Sequence, residues 1–340
     1  MLPLPIFKYH RPRTLDEAIT LLAQLGDKAR IIAGGTDLLP NMKHGLVEPE
    51  CVVSVSRLEE LRGIHLERVP GGEGDRERLL VGAGMRLAEI AESLVVQRAA
   101  PALAEAAAQV GGPHHRAMGT LGGNICLDTR CRYYNQTYFW RKSLGFCLKK
   151  DGTECHVVRG GQKCVAAASN DSAPALIALG AEIELLGPRG ERRVPAADFY
   201  TADGIYNTVL IPGEVVVRVA IPITAGRRSA FEKLRRRGAI DFPLLSVAAR
   251  VDLNDGDEGQ PTSVRAIEVV VSALGARPRR LRAALAVPVG SPVDGLPSAL
   301  AEAAFKECKP LTNLDDDVIW RRQMVRILVR KAVARAACLA

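Results

Sequence analysis

"RIIAGGTDLLP" (residues 30–40) is a short apolar run that ends in two glycines and passes into a helix-like pattern. An apolar run of strand length, closed by glycine, predicts a buried strand over residues 30–35. Thr36 then predicts the N-cap of a helix through "DLLPNMKHG". Gly34 and Gly35 permit φ > 0 and close approach of another backbone or a ligand. Exposed amides at a helix start favour a phosphate group. A second turn, "MGTLGGN" (118–124), repeats the arrangement. There Gly119, Gly122 and Gly123 are joined by Thr120 and Asn124, which supply hydroxyl and amide groups. One such turn alone is more often plain structure than a binding site. Two of them bracketing one α+β unit suit a diphosphate at a subdomain junction. Neither turn matches G-x-G-x-x-G with its acidic partner, and neither is a P-loop, because no G-K-[ST] follows. A dinucleotide here would bind by a different scheme.

Outward from these turns the chain reads as mixed strands and helices. In "HRPRTLDEAITLL" Thr14 is the expected N-cap, with Asp16 and Glu17 in the first turn and Gly26 closing the helix. "CVVSVS" and "ERLLVGAG" (77–84) read as strands, and "RLAEIAESLVVQRAAPALAEAAAQVGG" as two helices broken near Pro101. "GAEIELLGPRGERRVP" is a hairpin with its turn at residues 187–190, and "GEVVVRVAIP" is a strand ending at Pro222. "TAGRRS" (224–229) marks a domain boundary. Beyond it, "LLSVAARVDL" and "VRAIEVVVSAL" are strands separated by the polar turn "NDGDEGQP". "PRRLRAALA" and "LAEAAFKECK" follow as helices. The C-terminal "DDDVIWRRQMVRILVRKAVARAACLA" is a long amphipathic helix with acids first and bases later, matching the helix dipole. The class is α+β.

A length of 340 residues favours two domains, and 47% hydrophobic with 25% charged residues is ordinary globular composition. The net charge of +8 is spread over solvated faces and prospective subunit contacts. It lacks the interleaved aromatics and lysines of a nucleic-acid groove, so no nucleic-acid partner is expected. An acidic protein partner or an anionic cofactor is the second reading of that charge. No apolar run reaches the length of about 18 residues that a membrane span needs. "MLPLPIFKYHRPRT" has no signal-peptide core, so a cytoplasmic location with reduced cysteines is expected.

The cysteines are uneven. Cys131, Cys147, Cys155 and Cys164 give C-x15-C-x7-C-x8-C, with Cys126 just upstream. Cys51, Cys308 and Cys338 are scattered and read as small buried or idle side chains. Segment 131–164 also holds Tyr133, Tyr134, Tyr138, Phe139, Trp140 and Phe146, although aromatics are 4% of the chain. With few aliphatics beside them, these rings bury too little to offset the entropy of ordering the loop. A covalent or metal tie is expected, and in a reducing compartment four thiolates on one metal centre are the better answer than disulfides. Structural zinc sites and common ferredoxins both use shorter gaps, so the spacing decides between zinc and iron–sulphur for neither. The aromatic surroundings lean toward iron–sulphur. Arg130, Arg132, Arg141, Lys142, Lys149 and Lys150 would offset a cluster's negative charge and receive an acidic electron carrier. His156 reads as a nearby donor or an idle residue, and His114 and His115 as a loop or helix-end pair.

The paired turns resemble the flavin-binding signatures of the medium subunit of molybdenum hydroxylases, the xanthine dehydrogenase and carbon monoxide dehydrogenase family. The resemblance covers nearly the whole chain, including "HRPRTLDEAITLL", "SNDSAPALIALGAEIEL" and "FEKLRRRGAIDFPLLSVAA". It implies a two-part FAD-binding domain of the vanillyl-alcohol-oxidase (PCMH) type over residues 1–223, with subdomains of about 1–57 and 58–223. A small α+β C-terminal domain over 224–340 would follow. It implies FAD rather than NAD, with the diphosphate on Gly34, Gly35, Thr36 and Asp37, and with Ile32, Ala33 and Leu38 alongside. Thr120, Gly122, Gly123 and Asn124 would hold it from the second turn. Asp171 falls where the family holds ribityl or adenosine hydroxyls, and Lys233 where it often has a lysine near the flavin ring.

The cysteine loop, an insertion at about 126–168, resembles that of one branch, the β subunit of 4-hydroxybenzoyl-CoA reductase. That resemblance implies a 4Fe–4S cluster on Cys131, Cys147, Cys155 and Cys164. Electrons would enter from a ferredoxin, pass to FAD, and reach 2Fe–2S clusters and a molybdopterin-type molybdenum cofactor on a small and a large partner subunit. The implied assembly is a dimer of heterotrimers, and its chemistry is reductive dehydroxylation in anaerobic aromatic degradation. No residue of this chain would be catalytic toward the aromatic substrate. Three rivals stand: a related molybdenum hydroxylase acting on another heterocycle or acyl-CoA, a stand-alone flavin oxidase, and a zinc-stapled nucleic-acid-binding module.

Overall fold

In the computed structural model, which describes residues 2–70, 76–254, 263–315 and 317–339, three sheets follow one another along the chain. The first has β1 (Lys8–His10), β2 (Ala29–Ile32) and β3 (Cys51–Ser54), all parallel, in the order β1-β3-β2. The helix Leu15–Leu25 connects β1 to β2. It starts where the Thr14 hydroxyl accepts from the Glu17 amide at 3.2 Å and ends at Gly26, as the sequence predicts. Its Leu15, Ala18, Ile19 and Leu22 pack with Val53 and Val55. The central strand β3 is wholly buried, whereas β2 is an edge. Arg30 and Ile31 are therefore exposed, which corrects the expectation of a buried strand at residues 30–35.

The second sheet holds β4 (Ile64–Val69), β5 (Arg76–Gly82), β6 (Glu182–Gly187), β7 (Gly190–Pro195) and β8 (Val215–Pro222). It is antiparallel in the order β4-β5-β8-β6-β7. The β6–β7 hairpin turns where Gly187 pairs Gly190, and β6 alternates half-buried and buried residues as one-faced strands do. Helices Leu87–Glu92, Leu94–Ala99 and Pro101–Ala108 pack on it around Leu79, Val81, Leu103 and Ile183. These are three helices rather than two. Besides Pro101, Ser93 breaks the run, because its hydroxyl caps the helix after it by accepting from the Val96 amide.

The third sheet has β9 (Arg227–Leu234), β10 (Leu245–Asn254), β11 (Ser263–Ser272), β12 (Arg279–Arg280) and β13 (Ser291–Pro292). It is antiparallel, ordered β12-β11-β10-β9, with β13 beside β11. Its central strands β10 and β11 are buried over most of their length. Val247, Val251 and Val269 meet Leu300, Val325, Leu328 and Val329 of helices Leu296–Glu307 and Val318–Ala336. Phe231, Ala248 and Val270 face the other way into the core of the second sheet. From residue 255 the turn "NDGDEGQP" lies outside the described residues. The α+β class stands, and no described helix is long and apolar enough to cross a membrane.

The cysteine-rich segment leaves the second sheet's helical layer after the helix Leu121–Ile125 and returns before the helix Ser172–Ala178. Its base is closed by a reciprocal backbone pair, Arg130 N to Ala167 O at 2.8 Å and Ala167 N to Arg130 O at 2.7 Å. It contains one short helix, Tyr138–Ser143, started by Thr137, whose hydroxyl accepts from the Trp140 amide.

Candidate functional site

The two glycine turns lie backbone against backbone. A Cβ on Gly34 would stand 1.9 Å from the Met118 carbonyl oxygen and 2.9 Å from the Gly119 nitrogen. Gly35 has φ 72°, a left-handed conformation that favours glycine. The helix Leu38–Lys43 begins at Asp37 with no side-chain cap, so Thr36 is not the N-cap that the sequence predicts. The Asp37 carboxylate is drawn away instead, to the Arg130 guanidinium through Oδ1 and to Asn41 Nδ2 at 3.0 Å through Oδ2. Among the described residues, the amides of Gly34, Gly35, Thr36 and Asp37 donate to nothing in the protein. The second turn differs. Thr120 starts the helix Leu121–Ile125 and accepts from the Gly123 amide at 3.2 Å. The Gly122 amide bonds Ala83 O, the Asn124 amide bonds Thr120 O, and Asn124 Oδ1 takes the Ser172 amide and hydroxyl. Free backbone donors therefore lie in the first turn, and the second turn is braced internally.

Asp171 and Lys233 meet although one belongs to the second sheet's helical layer and the other to β9. Lys233 Nζ donates to Asp171 Oδ2 at 2.7 Å, Gln109 O at 2.9 Å and Asp241 O at 3.0 Å. Their side chains are 4% and 0% exposed. Asp171 Oδ1 is buried and has no hydrogen-bond partner. Burial pushes the Asp171 carboxyl up to about 6, with Lys233 opposing the rise. Asp171 directly precedes Ser172, which bonds Asn124, so the second turn and the Asp171–Lys233 pair form one cluster.

Cys131, Cys147, Cys155 and Cys164 all line one cavity, together with Tyr133, Tyr134, Lys149 and His156. Three of these thiols are buried and Cys155 is half-buried. No three His, Cys, Asp or Glu side chains among the described residues are placed to share a single metal ion. Burial, partly offset by a backbone hydrogen bond at Tyr133 and reinforced by the other three cysteines, pushes the Cys131 thiol up to about 12. Cys164 is also raised by burial, against the opposing effects of the Ala166 amide and Lys149. The Ala166 amide donates to Cys164 Sγ at 3.4 Å. Gly204 comes so close that a Cβ there would stand 2.8 Å from Cys164 Sγ. His156 Nε2 is engaged with Phe146 O at 2.5 Å, and Cys126 lies outside the cavity.

Arg130 joins these parts. It directly precedes Cys131, holds Asp37 of the first turn and Asn41 of the helix after it, and lies 4.3 Å from the ring centroid of Phe242, between β9 and β10. Burial pulls its guanidinium down to about 10. The remaining basic residues of the loop scatter. Arg132 pairs with Asp315, Arg141 donates to Gly45 O, Lys150 pairs with Asp151, and Lys142 is exposed. Sequence reasoning singles out neither Asn41 nor Gly204. A buried asparagine three residues into a helix and a glycine outside any glycine motif leave no local signal.

Residues 5–224 match the family described as "FAD binding domain in molybdopterin dehydrogenase", and residues 229–336 match "CO dehydrogenase flavoprotein C-terminal domain". The carbon monoxide dehydrogenase medium chain of Hydrogenophaga pseudoflava is 31% identical over 340 residues, 99% of this chain and 98% of that one. The aldehyde oxidoreductase FAD-binding subunit of Escherichia coli K12 is 33% identical over 252 residues, 72% of this chain and 76% of that one. A solved structure of carbon monoxide dehydrogenase from Hydrogenophaga pseudoflava superposes with a TM-score of 0.76 at 29% identity, covering 99% of both chains. Matched over both halves, this chain belongs to the FAD-binding medium subunits of the molybdenum hydroxylase family.

Proposed function

We propose that this chain is the electron-transfer subunit of a molybdenum enzyme, carrying FAD across its two glycine turns and a 4Fe–4S cluster in its cysteine loop. For FAD, the free amides of Gly34, Gly35, Thr36 and Asp37 suit the diphosphate, with Ile32, Ala33 and Leu38 beside it. Thr120, Gly122, Gly123 and Asn124 bound the same space from the second turn. The unpartnered Asp171 Oδ1 suits a flavin hydroxyl donor, and Lys233 holds that carboxylate in place. The division between FAD-binding and C-terminal domains is put at residues 223/224, just before β9.

The observation that carries the cluster is the convergence of four thiols on one cavity. No three of these thiols are placed to hold one metal ion, so the reading rests on their shared cavity, whose apolar lining of Tyr133, Tyr134, Leu148, Val157, Val165 and Ala166 suits iron–sulphur. When bound, FAD exchanges electrons singly or in pairs and so mediates between one-electron clusters and a two-electron reaction. The partners are then a large molybdenum subunit and a small 2Fe–2S subunit, in a cytoplasmic dimer of heterotrimers. The names of the similar proteins, which include carbon monoxide dehydrogenase and aldehyde oxidoreductase, favour a hydroxylase-family medium subunit without selecting a substrate. The cysteine cavity favours the branch of 4-hydroxybenzoyl-CoA reductase within it, with a ferredoxin as donor. The test is anaerobic purification of the complex, followed by flavin, iron, sulphide and zinc analysis and by turnover with reduced ferredoxin and 4-hydroxybenzoyl-CoA. Zinc without iron would remove the cluster. Oxidative turnover of a heterocycle or aldehyde with no reductive activity would move the chain to a related hydroxylase.

A further inference from the structure

Of the eight lysine and arginine side chains between residues 126 and 168, Lys149 alone lines the thiol cavity. Its side chain is 5% exposed. Its ammonium donates to Asp128 Oδ1 at 2.7 Å, Thr129 Oγ1 at 2.5 Å, Gly204 O at 2.8 Å and Thr129 O at 3.1 Å, and lies 4.5 Å from the centre of the Tyr134 ring. Those acceptors fix the cation, and its charge reaches Cys164, where it opposes the upward push of burial on the thiol. The Thr129 hydroxyl, itself fully buried, donates in turn to Gly204 O at 2.6 Å. Asp128, the counter-charge, does not line the cavity. The pair is thus a fixed dipole with its positive end toward the thiols.

We propose that Lys149 is a positioning residue that sets the reduction potential of the centre held by Cys131, Cys147, Cys155 and Cys164. The proposal rests on the 4Fe–4S reading given above. Reduction adds one electron to a thiolate-ligated cluster that is already anionic, with no bond made or broken and no proton moved. A cation fixed beside it in a low-dielectric lining favours the reduced form, and the potential of such centres follows local charge and hydrogen bonding. Asp128, farther away and of opposite sign, lowers the potential in the same way.

The test uses the purified complex, titrated anaerobically with dithionite in the presence of redox mediators while the cluster is followed by EPR. In Lys149→Met the ratio of reduced to oxidised cluster at a fixed potential should fall about tenfold, a midpoint lower by about 59 mV for a one-electron couple. In Asp128→Asn it should rise. A loosened loop would move both variants in one direction. Ratios within twofold of the unsubstituted complex in both variants, or shifts of the same sign, would overturn the proposal. If Lys149→Met is isolated without its cluster, Asp128→Asn decides alone: a rise supports the assignment, and no change or a fall defeats it. Lack of iron and sulphide beyond the partner subunit's 2Fe–2S complement in the unsubstituted complex would instead defeat the cluster itself.

Discussion

Replacing Gly34 by alanine probes the contact on which the proposed flavin site depends. The added Cβ would stand 1.9 Å from Met118 O, 2.4 Å from the Met118 carbonyl carbon and 2.9 Å from Gly119 N. All three are backbone atoms, so no side chain can rotate aside. Normal non-bonded contact is about 3.5 Å, so the turns must part by about 1.5 Å. Overpacking of this kind costs about 1–3 kcal/mol or more, and if the cost falls on the cofactor-bound geometry it weakens FAD by about 5- to 150-fold. The gradation is also testable. A Cβ on Gly122 would meet the Ala83 methyl at 2.9 Å, and one on Gly123 would meet only the Thr120 hydroxyl at 3.2 Å. FAD affinity, measured by flavin fluorescence on the deflavinated complex, should therefore fall most in Gly34→Ala, less in Gly122→Ala and little in Gly123→Ala. Unchanged FAD affinity in Gly34→Ala, or an equal loss in Gly123→Ala, would refute the idea that close approach of the two turns builds the site.

Cys147→Ser should lose the 4Fe–4S EPR signal and its iron while keeping FAD; loss of FAD with the cluster intact would count against the ligand set. Asp171 is raised from 3.8 to about 6 in the fold, so its contribution to stability is fully present below pH 3.8 and is lost as pH rises through about 6. The stability difference between wild type and Asp171→Asn, from chemical denaturation, should accordingly fall by up to about 3 kcal/mol between pH 4 and 7, and a flat difference would be contrary to it. Arg335 ties the C-terminal helix to Glu105 at 2.5 Å and Glu232 at 2.7 Å. Arg335→Gln should destabilise this seam by about 1–3 kcal/mol, read as a lower denaturation midpoint, with Glu105→Gln non-additive in a double-mutant cycle.

Local features of this protein are largely legible in the residue string. Thr14 caps its helix because its hydroxyl needs only the amide three residues on. The turn at residues 187–190 forms because glycines end both strands. The expectations that fail do so where a distant partner intervenes. Thr36 does not cap its helix, and Asp37 beside it answers to Arg130, separated from it by 93 residues. Ile31 is exposed because β2 falls at a sheet edge, and strand order follows packing rather than composition.

The sequence by itself determined the kinds of chemistry present: glycine turns with room for a phosphate, four widely spaced cysteines in an aromatic loop, and an α+β chain in two parts. Hydrogen bonding, backbone freedom and side-chain type act over a few residues, so their signatures survive in one dimension. Only the tertiary structure decided which groups meet. It set Gly34 against Met118, brought Lys233 to Asp171 across 62 residues, and placed one of the loop's eight lysine and arginine side chains in the lining of the thiol cavity. Those meetings follow from how three sheets pack, and because burial then excludes water, they also determine how strongly each charge acts on its neighbours.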